Sequence, residues 1–193
     1  MDLPLQPILL SIPSIIYIAV RRSRRENWKE ILGKLGWKVN RPVYFIWSLG
    51  VVIIVVGLGW LALQSVPSDV LDDPSVSISQ YTGWTISIIS FLLVWIREAI
   101  YIAIGEEIFF RGFLGGWLFR RFGFAIGNII QALIFILPHL LLLIVSISFW
   151  PIVAVQLMAG WLLGWLRYKS DSILPGWLAH SLSNAIGALA AMK

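Results

Sequence analysis

Cysteine is absent from the 193 residues, which excludes disulfides, thiolate metal ligands and a cysteine nucleophile. Charge is scarce as well: Asp, Glu, Lys and Arg make up 13% of the chain, against roughly 25% in an ordinary soluble domain. Histidine is limited to His139 and His180, and there is no internal repeat and no low-complexity tract. What fills the chain is apolar. Hydrophobic residues reach 59%, with 11 Trp, and the mean hydropathy is +0.84. A soluble domain is excluded on those numbers. The chain is expected to be an all-α, polytopic transmembrane helical bundle, multi-pass in the cell membrane, with the lipid bilayer as its first partner. Each helical span takes about 20 apolar residues, so the length holds roughly five to seven spans and no separate soluble domain. Residues 1–193 therefore read as a single membrane domain.

The net charge is +5, but the basic residues sit between hydrophobic runs, as topology determinants do, and no nucleic-acid partner is implied. Six spans are expected, near residues 3–20, 42–63, 84–104, 128–147, 150–166 and 173–191. The first has no basic segment before it and no small-residue cleavage site after it, so it reads as a span rather than a signal peptide. The link at 21–41 carries Arg21, Arg22, Arg24, Arg25, Lys29, Lys34, Lys38 and Arg41, whereas the link at 64–83 carries Asp69, Asp72 and Asp73 and no base. The positive-inside rule places 21–41 in the cytoplasm and 64–83 outside. Alternation then puts Arg120, Arg121, Arg167 and Lys169 inside, so 167–172 is cytoplasmic too. Between 97 and 127 the pattern weakens. Arg97 and Glu98 interrupt the third span, and Gly105, Gly112, Gly115, Gly116, Gly123 and Gly127 allow a re-entrant or broken helix at 105–127, which must lie in protein or line a wet cavity.

Ionisable groups at membrane depth cost roughly 2.5–3.5 kcal/mol each even on the lenient insertion scale, so they point to function. Glu106, Glu107 and Arg111 form the densest such group. On a helix Glu107 and Arg111 face each other at i,i+4, while Glu106 is turned about 100° away. One carboxylate can be held by the guanidinium while the other is left to work. Burial raises a carboxylate's pKa and a nearby guanidinium lowers it, a balance that suits a general base. The trio also reads as a structural ion pair, and the residues alone do not choose Glu106 over Glu107 as the base. His139 follows Pro138, whose missing N–H should kink the helix and free the carbonyl of Ile134. Asn128, Gln131, Phe135 and His139 recur at helical spacing, a stripe that faces protein or water rather than lipid. His180 and Asn184 leave one helix face roughly 6 Å apart, as two donors to an oxyanion do; helix–helix glue explains such a pair equally well. Counted at ~1.5 Å per residue from the proposed inner face, Glu106, His139 and His180 lie ~21, ~17 and ~12 Å deep, compatible with one shared site. Ser181 and Ser183 flank His180, but no nucleophile elbow and no buried Asp accompany them, which argues against a serine triad.

With these residues in view, the sequence resembles the CAAX-protease and bacteriocin-processing (CPBP) family, glutamate-dependent intramembrane proteases also grouped under the abortive-infection label. The family's motifs are Glu-Glu-x-x-x-Arg, Phe-x-x-x-His and His-x-x-x-Asn, in that order. Here they read Glu106-Glu107-Ile-Phe-Phe-Arg111, Phe135-Ile-Leu-Pro-His139 and His180-Ser-Leu-Ser-Asn184, and the run from Gly160-Trp-Leu-Leu-Gly164 through Ser172-Ile-Leu-Pro is also similar. The likeness covers about 85–190, a CPBP-like catalytic core, while 1–84 carries no motif. It implies an intramembrane endopeptidase without metal or cofactor, in which Glu106 and His139 activate a water, His180 and Asn184 hold the oxyanion, and Glu107 and Arg111 support them. The substrate it implies is a peptide or membrane protein, prenylated or not. Two other readings stand beside it. One is a zinc-dependent metallohydrolase using His139, His180 and Glu106 as ligands, which is reasonable for a catalytic site although no His-Glu-x-x-His helix is present. The other is a non-catalytic membrane immunity factor or scaffold.

Overall fold

The computed structural model describes residues 5–71, 73–74 and 76–192, and no strand occurs among them. Leu3 and Pro4 of the expected first span, and Asp72 of the acidic link, lie outside the described residues. In chain order the α-helices are α1 (Leu5–Ser23), α2 (Trp28–Lys34), α3 (Val43–Leu63), α4 (Ser68–Leu71), α5 (Ile88–Arg97), α6 (Ile104–Glu106), α7 (Gly116–Ile136), α8 (Leu142–Val145), α9 (Trp150–Ser170) and α10 (Leu174–Ala188). Local chemistry sets several of the ends. Asn27 caps α2 by accepting from the backbone N–H of Lys29 at 2.8 Å. Ser87 and Ser90 form a reciprocal capping box at the start of α5. Pro151 and Pro175 sit in the first turns of α9 and α10, where a missing donor costs nothing.

Between α5 and α7 the backbone leaves α geometry twice. Glu98–Ala103 and Glu107–Gly115 are π-helical, with the single turn of α6 between them. Widening the turn shifts side chains off the 3.6-residue pattern and is concentrated at functional sites; these two segments carry Glu98, Glu107 and Arg111. A sharper break follows at Gly123, where φ is 73° and ψ 176° inside α7, a conformation open to glycine but strained for other residues. The chain doubles back there. Gly127 packs against the backbone of Leu118, and Phe135 meets Phe110 edge-on at 5.1 Å. The break thus lies inside the expected 105–127 region.

Among the described residues, three helical stretches are long and apolar enough to cross a membrane: Val43–Leu63, Ile88–Val145 and Ile147–Ser170. The second, 58 residues long, is divided by Gly123 into two arms. The expected spans at 3–20 and 173–191 correspond to α1 and α10, which fall outside that group. With 15 residues, α10 rises only about 23 Å, less than the ~30 Å hydrocarbon core. The outer faces suit lipid: Ile53, Ile88, Ile89 and Ile144 are 72–81% exposed. Inside, α3, α9 and α10 pack around Val51, Val52, Leu163, Leu166 and Ala179. Small residues permit the crossings, since a Cβ at Gly164 would fall 1.9 Å from Asn128 Oδ1, and one at Gly160 2.7 Å from the Phe135 ring. Asn128, Gln131 and Phe135 are all buried, so that stripe faces protein.

Pro138 ends α7 at Ile136 and turns Leu137–Leu141 into a 3-10 segment. The freed carbonyl differs from expectation. That of Ile134 accepts from the Leu137 N–H, because the tighter turn brings i+3 within reach, and the carbonyl of Phe135 is the one taken by a side chain.

Candidate active site

Two side chains meet at Glu107, which is fully buried. Arg111 lies one turn on, with Nη1 3.1 Å from Glu107 Oε1. From α10, His180 brings Nδ1 to 3.0 Å from the same oxygen. A carboxylate only accepts, so Nδ1 carries the proton and donates. The ring is thereby oriented with Nε2 3.7 Å from Glu106 Oε2. Arg111 itself is fully buried, lies 4.1 Å from the Phe135 ring centroid and donates from Nη2 to the carbonyl of Gly160 at 3.3 Å. Charge, ring and carbonyl together hold the guanidinium on Glu107.

Glu106 points the other way. Its Oε1 accepts a 2.8 Å hydrogen bond from Gln6 Nε2 of α1, while Oε2 is buried and has no hydrogen-bond partner among the described residues. A buried acceptor left unmade costs about 1–3 kcal/mol, and Glu107 Oε2 is a second such oxygen in the site. The close approach of α1 depends on Gly105, where a Cβ would lie 2.4 Å from Pro7 Cα. No sequence pattern links Gln6 to the site: it lies 100 residues from Glu106, in a segment without a motif. A polar residue in an apolar run was its sole signal.

His139 is partly exposed and its Nδ1 is 2.9 Å from the Phe135 carbonyl oxygen. A carbonyl cannot donate, so Nδ1 does, and the neutral ring has its lone pair on Nε2. Phe135 ties the pieces together, with its ring 4.7 Å from His139 and 6.2 Å from His180.

Asn184 shares a helix with His180 but is held elsewhere. Its Nδ2 donates to Glu98 Oε2 at 3.2 Å, and Glu98 Oε1 accepts from Tyr81 Oη at 2.6 Å and lies 3.4 Å from Arg97 Nη1. Glu98 is buried; the sequence marks it only as an interruption of a span. Trp177 Nε1 donates to the carbonyl of Ala99 at 2.9 Å, further fixing α10 on the first π segment, and Ser181 accepts from Trp95 Nε1 at 3.1 Å. Among the described residues no three His, Cys, Asp or Glu side chains form a group able to hold a metal ion; His139, His180 and Glu106 do not make one. What the site offers is two buried carboxylate oxygens without a donor among the described residues, Glu106 Oε2 and Glu107 Oε2, two imidazoles with assigned ring nitrogens, and an amide with an N–H to spare. Those are the parts of a hydrolytic centre that uses water.

A family model described as type II CAAX prenyl endopeptidase Rce1-like matches residues 88–186. That stretch holds every residue of the site apart from Gln6 and Tyr81. No curated protein and no solved structure matches the chain.

Proposed function

The chain belongs to the Rce1-like type II CAAX prenyl endopeptidase family, and we propose that it is an intramembrane endopeptidase in which Glu106 activates a water for attack on a peptide carbonyl. The observation that carries this reading is the placement of Glu106: Gln6 occupies one oxygen, and the other is buried, without a donor and 3.7 Å from His180 Nε2, whereas the other unpartnered carboxylate oxygen, Glu107 Oε2, belongs to a group already held by Arg111 and His180 and lies against Gly176. An oxygen so placed can accept a proton from water, and His139 offers a second acceptor, Nε2, to orient that water. As the water oxygen bonds to the carbonyl carbon, its proton passes to Glu106 and the carbonyl oxygen becomes an oxyanion. The second amide N–H of Asn184 donates to it, as does His180 Nε2 when the ring carries its second proton. Collapse breaks the C–N bond. Glu106 returns the proton to the leaving nitrogen, which regenerates the carboxylate and leaves one new carboxyl and one new amino end. Glu107 and Arg111 act through His180 as positioning residues. The substrate is a peptide or membrane protein that enters from the bilayer or the cytoplasmic side, and six crossings with α1 and α10 closing the bundle suit that access.

Glu106→Gln tests this directly. The amide keeps the volume and can still accept from Gln6, but it cannot take a proton from water. Turnover is expected to fall by about 10²–10⁴-fold, the usual contribution of a positioned acid–base group, with the melting temperature near that of the parent. Activity within about tenfold of the parent removes Glu106 as the base.

A further inference from the structure

At one end of the bundle, three separate basic stretches of sequence meet around a cavity of about 630 Å³. Lys34 and Lys38 come from α2 and the link after it, Arg120 from the first turns of α7, and Arg167 from the end of α9; the acids in the lining are Glu30 and Asp171. Four cations against two acids leave an excess of two positive charges; Lys34 also reaches Glu26 at 3.1 Å, but that carboxylate is shared with Arg21 at 2.6 Å, so counting both of them leaves the excess unchanged. The guanidiniums converge on one atom: Arg120 Nη1 donates to the Lys34 carbonyl at 3.1 Å and Arg167 Nη2 to the same oxygen at 3.4 Å. Asp171 serves two bases at once, Arg167 at 3.0 Å and Lys38. Burial pushes the Asp171 carboxyl up, but hydrogen bonds and charge from Lys38 and Arg167 outweigh it and hold the group below the ordinary carboxylate range, so its charge is already spent on them. Arg120 forms no ion pair with a carboxylate among the described residues, and Arg167, only 3% exposed, has a buried Nε without a hydrogen-bond partner. Like charges held this close repel until an anion lies between them.

Beside the cationic cavity is a smaller slot of about 230 Å³ lined by Tyr17, Leu35, Phe113, Trp117 and Arg120. Arg120 borders both spaces. We propose that the pair is a binding site for one anionic phospholipid, with its phosphate between Arg120, Lys34 and Arg167 and its apolar part along the aromatic slot. A phosphate has oxygens enough for two guanidiniums and an ammonium, and basic pockets between membrane helices at the basic end are where anionic headgroups concentrate. The site is distinct from the catalytic residues. Gly116, in the cavity lining, is ten residues beyond Glu106, and none of Glu106, His139, His180 and Asn184 lines the cavity.

The test uses the full chain, purified and reconstituted in nanodiscs of phosphatidylcholine with graded phosphatidylglycerol, with retained lipid counted by native mass spectrometry and stability followed by melting. The parent is expected to retain one phosphatidylglycerol in preference to phosphatidylcholine. Arg120→Gln and Lys34→Gln should each weaken that preference by about five- to tenfold, the effect of one interfacial cation, while Arg24→Gln, on an exposed arginine outside the cavity, should not. An equal loss in Arg24→Gln shows diffuse surface charge and overturns the site. Inorganic phosphate at millimolar concentration is the second arm: stabilisation of the parent by phosphate as large as by phosphatidylglycerol makes this a free-phosphate site and overturns the lipid. No preference between the two lipids overturns both.

Discussion

Glu98 and Glu107 perform parallel tasks on α10. Each buried carboxylate holds one polar side chain of that helix, Asn184 at 3.2 Å and His180 at 3.0 Å, and each has an arginine beside it, Arg97 and Arg111. Fixing a donor beforehand is what makes an oxyanion site effective, because no reorganisation is needed when charge develops. Asn184→Ala should therefore lower kcat by about 10²–10³-fold with KM little changed, the usual loss for one oxyanion donor, whereas plain helix glue in a membrane averages nearer ~0.6 kcal/mol and would show in the melting temperature. Glu98→Gln keeps an acceptor for Asn184 and should retain more activity than Glu98→Ala. Parental turnover in a folded but earlier-melting Asn184→Ala protein makes the residue structural. At this scale the sequence marks the buried Glu106, Glu107, Arg111 and His180 and the partly exposed His139, because their chemistry is out of place among Leu and Ile. It was silent on Gln6 and Tyr81, since a contact across the chain leaves no local pattern.

The helices that carry these side chains are not regular. Hydrophobic periodicity follows 3.6 residues per turn, so the two π segments leave no mark in it, although the interruption at Arg97 and Glu98 marks where the first one begins. Six glycines between 105 and 127 indicated a break without choosing its place, because each glycine has a different reason to be there. Gly123 is needed for its positive φ, with nothing within 4 Å of a Cβ built there; Gly105 is needed for space, against Pro7. Substitution separates the two. Gly123→Ala should lower stability by about 1–2 kcal/mol through backbone strain and leave the folded protein's turnover intact. Gly105→Ala pushes α1 away and draws Gln6 off Glu106, and a misplacement of about 1 Å at a catalytic group can lower the rate about 10²-fold. The comparison is kcat per folded molecule for each variant. Equal turnover in Gly105→Ala and the parent would show that the Gln6 contact has no part in holding Glu106.

For the whole molecule, composition was enough to give an all-helical membrane protein, but not the number of crossings. A helix apolar on all sides, such as α3, gives no sign of which face meets lipid, and α10 is too short to be counted by length even though it carries half of the site. Charge distribution is the better guide to orientation. Lys34, Lys38, Arg120 and Arg167, from three different links, border one cavity, whereas the described part of 64–83 contains Asp69 and Asp73 and no base. If basic links face the cytoplasm, that end of the bundle does, and Ser23 at the end of α1 lies on the opposite side of the membrane from Thr82. The native chain has no Cys, so single substitutions report without background. In intact cells, Thr82→Cys should react with an impermeant thiol reagent and Ser23→Cys only after the membrane is opened; both positions are exposed in the fold, so burial does not decide the result. Labelling of Ser23→Cys from outside reverses the orientation. Labelling of both from outside requires an even number of crossings between residues 23 and 82, and that would remove α3 as a lone span between the two links.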